Sequence, residues 1–258
     1  KKISSAKDML PLLGKIARQV LASAAMGAVL WAMLPLMDGR YAGSVLERAW
    51  SLAALMLSAV PANQRIVVIE DTVELAPRHP HVVTLQTAHG NTEGAGVVGL
   101  GSLVRTALRM RPDRIIVGEV RDAAALDMLQ AMNTGHDGSL STVHANTPRD
   151  ALSRIETMVL MAGMELPVRV IREQIVQAID VVVQQSRLRD GSRHITAISE
   201  VLGMEGDTIQ TQDIFKFEYY QDRIDGPLGH LVPTGMVPRF EPRLRDRGIE
   251  LSRLMFVR

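Results

Sequence analysis

Cysteine is absent from the 258 residues. That excludes a disulfide scaffold and any metal site built on thiolates, and it permits a reducing compartment without showing one. Aromatic residues are scarce, at 3%, which argues against the stacking platforms on which single-strand nucleic-acid binders lay bases. An excess of one charge is missing too. The net charge is +1, against a generic nucleic-acid binder, though a local basic patch stays open. No internal repeat and no low-complexity tract stands out. What remains is ordinary globular composition, 22% charged and 47% apolar, in a chain long enough for one large domain or two small ones.

The first sixty residues differ from the rest, with seven basic and three acidic side chains. Within them "VLASAAMGAVLWAMLPLM", residues 20–37, runs eighteen positions without a charge, near the lower limit for a membrane span. Lys1, Lys2, Lys7, Lys15 and Arg18 precede it, as in a span whose N-terminus stays in the cytoplasm. A buried helix of a soluble domain is the other reading. A plain signal peptide is not expected, since no small-x-small cleavage site closes the run and the chain begins with Lys. The next apolar run, residues 49–60, is too short to span and predicts a core helix.

From Arg65 the pattern is that of an α/β domain. Strands are predicted at "RIVVIED" (65–71), "HVVTLQT" (81–87), "RIIVG" (114–118) and "SLSTVHA" (139–145). Helices are predicted over 103–110, over 122–133 with Asp122 as N-cap, and over 147–163. The last has Thr147 as N-cap, Pro148 at its first position and Gly163 beyond its end. Another helix opens at Pro167 and runs through Ile179. Residues 180–203 read as a hairpin turning at Asp190-Gly191, with the β pattern continuing to 218. The tail is Pro/Gly-rich, with one short helix near 239–248.

Two of these strands end in acids, Glu70 and Asp71 on the first and Glu119 on the third. In open α/β sheets the carboxyl ends of parallel strands form the ligand crevice. Nucleoside triphosphate chemistry needs an acid there to hold magnesium or orient the attacking water. Arg105, Arg109, Arg111, Arg114 and Arg121 lie close by in sequence, and planar guanidinium forks suit phosphate oxygens. An exposed rim of surface ion pairs fits such a pattern as well. "GHDGSLSTVHANTP" adds His144, placed just before a helix N-terminus, where anions are favoured. It could contact a γ-phosphate, or be a satisfied structural histidine. A metal site from His79 and His81, or from His136 and His144, is not expected, because neither pair has helical i,i+4 spacing and no third ligand is evident.

Together these motifs resemble, over residues 57–256, the CpaF/TadA-type ATPases of the secretion-ATPase superfamily, which drive Flp pilus assembly and type II or IV secretion. "RIVVIEDTVEL" is similar to that family's Asp box, "LVRTALRMRPDRIIVGEVRD" to its Walker B region, and "ALDMLQAMNTGHDGSLSTVHANTPRDALSRIETMVLMAG" to its His box and following helix. "LPVRVIREQIVQAIDVVVQQSRLRDGSRHITAISEVLGMEGD" and the tail "PTGMVPRFEPRLRDRGIEL" continue the likeness. The resemblance implies a RecA-like P-loop ATPase core with a C-terminal β-hairpin and tail. It implies ATP and Mg²⁺ as cofactors. Glu119 would polarise the attacking water, and Glu70 and Asp71 would assist metal and water. His144 would monitor the γ-phosphate, and Arg105, Arg109, Arg111 and Arg121 would serve phosphates within and across subunits. It further implies a homo-hexamer at the cytoplasmic face of the inner membrane, working with pilus or secretion platform proteins and not with nucleic acid.

The family's phosphate-binding loop, G-x-x-x-x-G-K-[ST], has no counterpart in this sequence. The equivalent positions read "VLERAWSL", and Gly14-Lys15 is followed by Ile16. Gly101-Ser102 replaces a usual Arg-Asp pair and Ala124 a usual acid, changes expected to weaken a phosphate arginine and a helix contact. "LLGKIARQVLASAAMGAVLWAMLPLMDG" weakly resembles a transmembrane tail of the lipid II flippases (MurJ/MviN). The expected organisation is therefore an apolar, foreign-looking helical segment over 1–50, a catalytic core lacking its N-terminal part over 51–218, and a tail over 219–258. Two functions follow: a secretion or pilus ATPase impaired by the missing loop, or a catalytically dead, membrane-attached assembly subunit or gene-fusion product.

Overall fold

The computed structural model describes residues 56–57, 60–75, 77–90, 96–220, 229–246 and 248–257. The expected apolar segment over 1–50, the run at 20–37 and most of the helix over 49–60 lie outside the described residues. Among the described residues no helix is long and apolar enough to cross a membrane.

Among the described residues, two four-stranded sheets make the fold. The first is parallel, in the order β2 (Val82–Gln86), β1 (Ile66–Glu70), β3 (Arg114–Val117), β4 (Leu140–Ser141). β1 is buried along its whole length, so side chains on both faces meet apolar layers. Val67 and Ile69 face one core with Ile115 and Val117, while Ile66 and Val68 face a smaller one with Ile116, Leu57 and Leu75. This is why the strand reads as an unbroken apolar run rather than an alternation.

Helices cover the larger core. In α1 (Leu100–Ala107), Leu100, Val104 and Ala107 are buried at helical spacing. The helix starts three residues before the predicted Leu103, because Leu100 begins the buried stripe while Gly101 weakens its local signal. A short 3₁₀ turn, Leu108–Met110, follows. Arg111 then turns the chain into β3 at φ 54°, the single positive φ outside glycine among the described residues. α2 (Ala124–Met132) begins two residues later than predicted, yet Asp122 still accepts a hydrogen bond from Ala124 N at 2.9 Å. α3 (Pro148–Leu160) is capped by Thr147 as predicted, its hydroxyl accepting from Asp150 N at 3.1 Å. α4 (Val168–Ala178) buries Ile171 and Ile175. The predicted strand over 139–145 is regular only at 140–141. Beyond it Thr142 O accepts from Val120 N and Ala145 O from the Gln184 side chain, which draws the chain away from a ladder.

The second sheet is an antiparallel meander of β5 (Val181–Arg187), β6 (Arg193–Glu205), β7 (Thr208–Tyr219) and β8 (Gly229–Pro233). The hairpin turns at Asp190-Gly191, where Gly191 takes φ 82° and Asp190 accepts from Ser192 N and Oγ. Those bonds hold the Asp190 carboxyl below its ordinary pKa. Val182, Val201 and Ile209 pack on the large core that includes Ile171 and Ile175 of α4. Arg172 bonds Glu156 of α3 through two nitrogens, at 2.8 and 3.1 Å, and the Asp207 carbonyl at the β6–β7 turn at 2.6 Å. The tail closes on this sheet. β8 pairs with β7, and the buried Glu200 carboxylate accepts from Arg239 N and Phe240 N. α5 (Glu241–Asp246) follows, with Arg243 paired to Asp180.

Candidate active site

Glu70 is the last residue of β1 and stays on the face of Ile66 and Val68, where it is 1% exposed. Its Oε1 accepts from Leu75 N at 3.0 Å and Glu74 N at 3.2 Å, while Oε2 is buried with no partner. Burial pushes the Glu70 carboxyl above its ordinary pKa, against the lowering effect of those two amides. Gly118 stands beside it, directly after β3. A Cβ there would lie 2.8 Å from Glu70 Cγ, so the neighbour of this acid has to lack a side chain.

Glu119 comes one residue later. Its Oε2 receives Arg121 Nη2 at 2.5 Å and its Oε1 lies 3.1 Å from His144 Nε2. The side chain is 15% exposed, whereas Arg121 and His144 stand largely in solvent. Thr142 Oγ1 donates to Gly118 O, and with the Val120–Thr142 backbone bond it fixes the approach of the β3 and β4 ends. Asp71 is exposed beyond Glu70, and its carbonyl accepts from Gln86 Nε2. Glu119 raises the Arg121 pKa by hydrogen bonding and charge, and Asp71 and Glu74 are near enough to add to the effect.

The structure thus brings Glu70, Asp71, Glu119, Arg121 and His144 to the carboxyl ends of parallel strands. It does not bring the other arginines there, although they are close in sequence. Arg105 pairs with Asp127 of α2 at 2.7 Å. Gly101 makes room for that pair, since a Cβ at 101 would come within 2.3 Å of Asp127 Oδ2. Arg109 and Arg111 lie exposed between α1 and the amino end of β3, so the length of that strand separates them from Glu119. Arg114 reaches Gln64 and Gly138 O at the same amino end. His136 bonds Ala131 O at 2.9 Å, next to the end of α2. No group of three metal-ligating side chains occurs among the described residues. Sequence reasoning passed over Gly118 and Thr142. A glycine directly before a strand-end acid was the available signal for the first, and Thr142 carried none.

Two acids and a histidine at such a sheet end can position water and a metal–anion pair. Residues 48–215 match the model of the Type II/IV secretion system protein family. The chain belongs to that family. A Mycobacterium tuberculosis protein provisionally named for conjugal transfer is 46% identical over 156 residues, which is 60% of this chain and 44% of that protein. The conjugal transfer protein TrbB of Rhizobium radiobacter is 35% identical over 74% of this chain and 54% of its own length. Among solved structures, the VirB11 ATPase of the Brucella suis type IV secretion system, in complex with sulphate, superposes with a TM-score of 0.52 at 32% identity. The alignment covers 60% of this chain and 45% of that one. The chain therefore spans about half the length of the family members it matches, and the secretion family's α/β fold is established for the part they share.

Proposed function

We infer that this chain carries the hydrolytic half of a secretion ATPase site, of the kind that couples ATP hydrolysis to Flp or type IV pilus assembly or to type II/IV secretion. The observation that carries this reading is the contact of Glu119 with both His144 and Arg121, beside the buried Glu70, at the carboxyl ends of β1 and β3. Glu119 is the water-orienting base, held in place by its two partners. His144 stands where a terminal phosphate would be felt, and Arg121 neutralises its charge. Arg109 and Arg111, exposed at the far end of the sheet, are left to a neighbouring subunit of a hexamer.

Magnesium and ATP fit the acidic side of this site. The unpartnered Oε2 of Glu70 and the exposed Asp71 are hard oxygen ligands of the type Mg²⁺ takes, directly or through water. Bound Mg²⁺–ATP supplies the phosphoryl group and screens its charge. The phosphate-cradling side is missing, because no G-x-x-x-x-G-K-[ST] occurs in the 258 residues. Positioning the triphosphate is most of what such enzymes do, so the chain by itself is a poor ATPase. That absence also favours a second reading, a non-hydrolysing assembly subunit with platform proteins at the cytoplasmic face of the inner membrane, attached through residues 20–37.

Phosphate release from Mg²⁺–ATP by the full chain, compared with Glu119→Gln, tests both. Equal rates are expected. Release above the Glu119→Gln control would overturn the impaired reading and leave the enzyme reading standing.

A further inference from the structure

His144, the partner of Glu119, also lines an open pocket of about 550 Å³ to which Glu119 itself does not contribute. One wall is a stripe of α3 carrying Asp150, Arg154 and Met158, continued by Met161 at its C-cap. The facing wall is Arg121, His144 and Asn146. Arg154 is exposed and takes part in no hydrogen bond or ion pair among the described residues. Arg121 is held by Glu119 through one nitrogen, which leaves its other donors free to turn to the pocket. Asp150 is the one carboxylate in the lining, against two guanidinium groups and the imidazole of His144. None of Arg154, Asn146 or Asp150 belongs to the acid-tipped crevice.

We propose that this pocket is a phosphoryl-anion site in which Arg154 is the principal anchor and Arg121 the shared one. Guanidinium forks bind phosphate oxygens through paired, charge-assisted hydrogen bonds, and Asn146 adds an amide donor. Arg121 then has two anionic claimants, the Glu119 carboxylate and the incoming anion. Occupancy of the pocket draws Arg121 and His144 from Glu119 and frees that carboxylate. The site stands on its own lining, while its link to Glu119 rests on the functional reading above. Free phosphate and the phosphates of a nucleotide share this chemistry.

Titration calorimetry on the full chain at low ionic strength, with inorganic phosphate, tripolyphosphate and ATP in turn, tests the proposal. Saturable binding is expected. Arg154→Gln should weaken it about tenfold, the scale of one lost charge-assisted contact. Arg149→Gln removes the same charge from α3 outside this pocket and should leave the affinity unchanged. Glu119→Gln should tighten binding several-fold by removing the competitor. Equal affinities for the three probes assign the site to the free ion, and tighter binding of ATP assigns it to the nucleotide's phosphates. Absence of saturable binding, an unchanged Arg154→Gln, equal losses in Arg149→Gln and Arg154→Gln, or no gain in Glu119→Gln would overturn it. Because occupancy is read without turnover, this result and the phosphate-release result can fail separately.

Discussion

His144 Nε2 stands 3.1 Å from Glu119 Oε1, although twenty-five residues separate the two in the chain. The contact exists because β3 and β4 are parallel neighbours whose carboxyl ends are held together by Thr142. The intervening α2 is the crossover that parallel pairing requires. The two residues are thus brought together by topology, and the contact survives only while the strand ends stay in register.

Gly118→Ala should destabilise the fold by about 1–3 kcal/mol, the range for overpacking a closed site. The new Cβ meets Glu70 Cγ, and Glu70 has little free volume to retreat into. A lower urea midpoint at unchanged slope is the expected observation. An unchanged midpoint would mean that Glu70 leaves its burial readily.

Glu70→Gln should flatten the pH dependence of stability. Burial raises the folded carboxyl's pKa above the ordinary 4.5, so between the two values the native state binds more protons than the unfolded chain. Stability present below pH 4.5 is then lost as pH rises through the folded pKa. Thermal melts should show the unmodified chain falling relative to Glu70→Gln from acid to neutral pH. Parallel curves would contradict this.

Glu200→Ala should release the tail and leave the parallel sheet intact. The carboxylate is buried and serves the amides of Arg239 and Phe240. A hydrogen bond to a charged group contributes about 1.5–3 kcal/mol. Hydrogen exchange should speed up at those two amides, with no change in β1 and β3.

Arg111→Gly should stabilise the chain by about 1 kcal/mol, since Arg111 occupies the left-handed region at φ 54°, where a Cβ is costly. Thermal denaturation would register this. A loss of stability would show that the Arg111 side chain contributes more than its backbone strain costs.

The buried strands were legible in the sequence because β1 and β3 are unbroken apolar runs between charged ends. The Thr147 cap was legible because it acts through a bond to the backbone three residues on, whereas the N-cap of α2 is Ala123, one residue after the predicted Asp122. The acid-tipped ends made the common location of Glu70 and Glu119 at one end of the sheet legible. The division of the arginines between the two ends of the sheet was not legible, because nearness in sequence says nothing of strand direction. Arg109 and Arg121 lie at opposite ends of β3. β4 was overextended because its hydrogen bonds beyond Ser141 go to Val120 and Gln184, partners that no local pattern announces. Arg154 carried no sequence signal either, since the pocket it lines is completed by residues of another segment, Arg121 and His144.

Arg172 joins α3, α4 and the β6–β7 turn through three hydrogen bonds. From Thr147 to Glu156, α3 is a stiff rod of about 13 Å, with the histidine turn at one end and this guanidinium bolt toward the other. β7 extends from the bolted turn for roughly 37 Å, to an edge where Tyr219 and Tyr220 are exposed. One guanidinium thus pins the helix that follows the histidine turn to the middle turn of the meander, and its removal would loosen α3, α4 and the β6–β7 turn together.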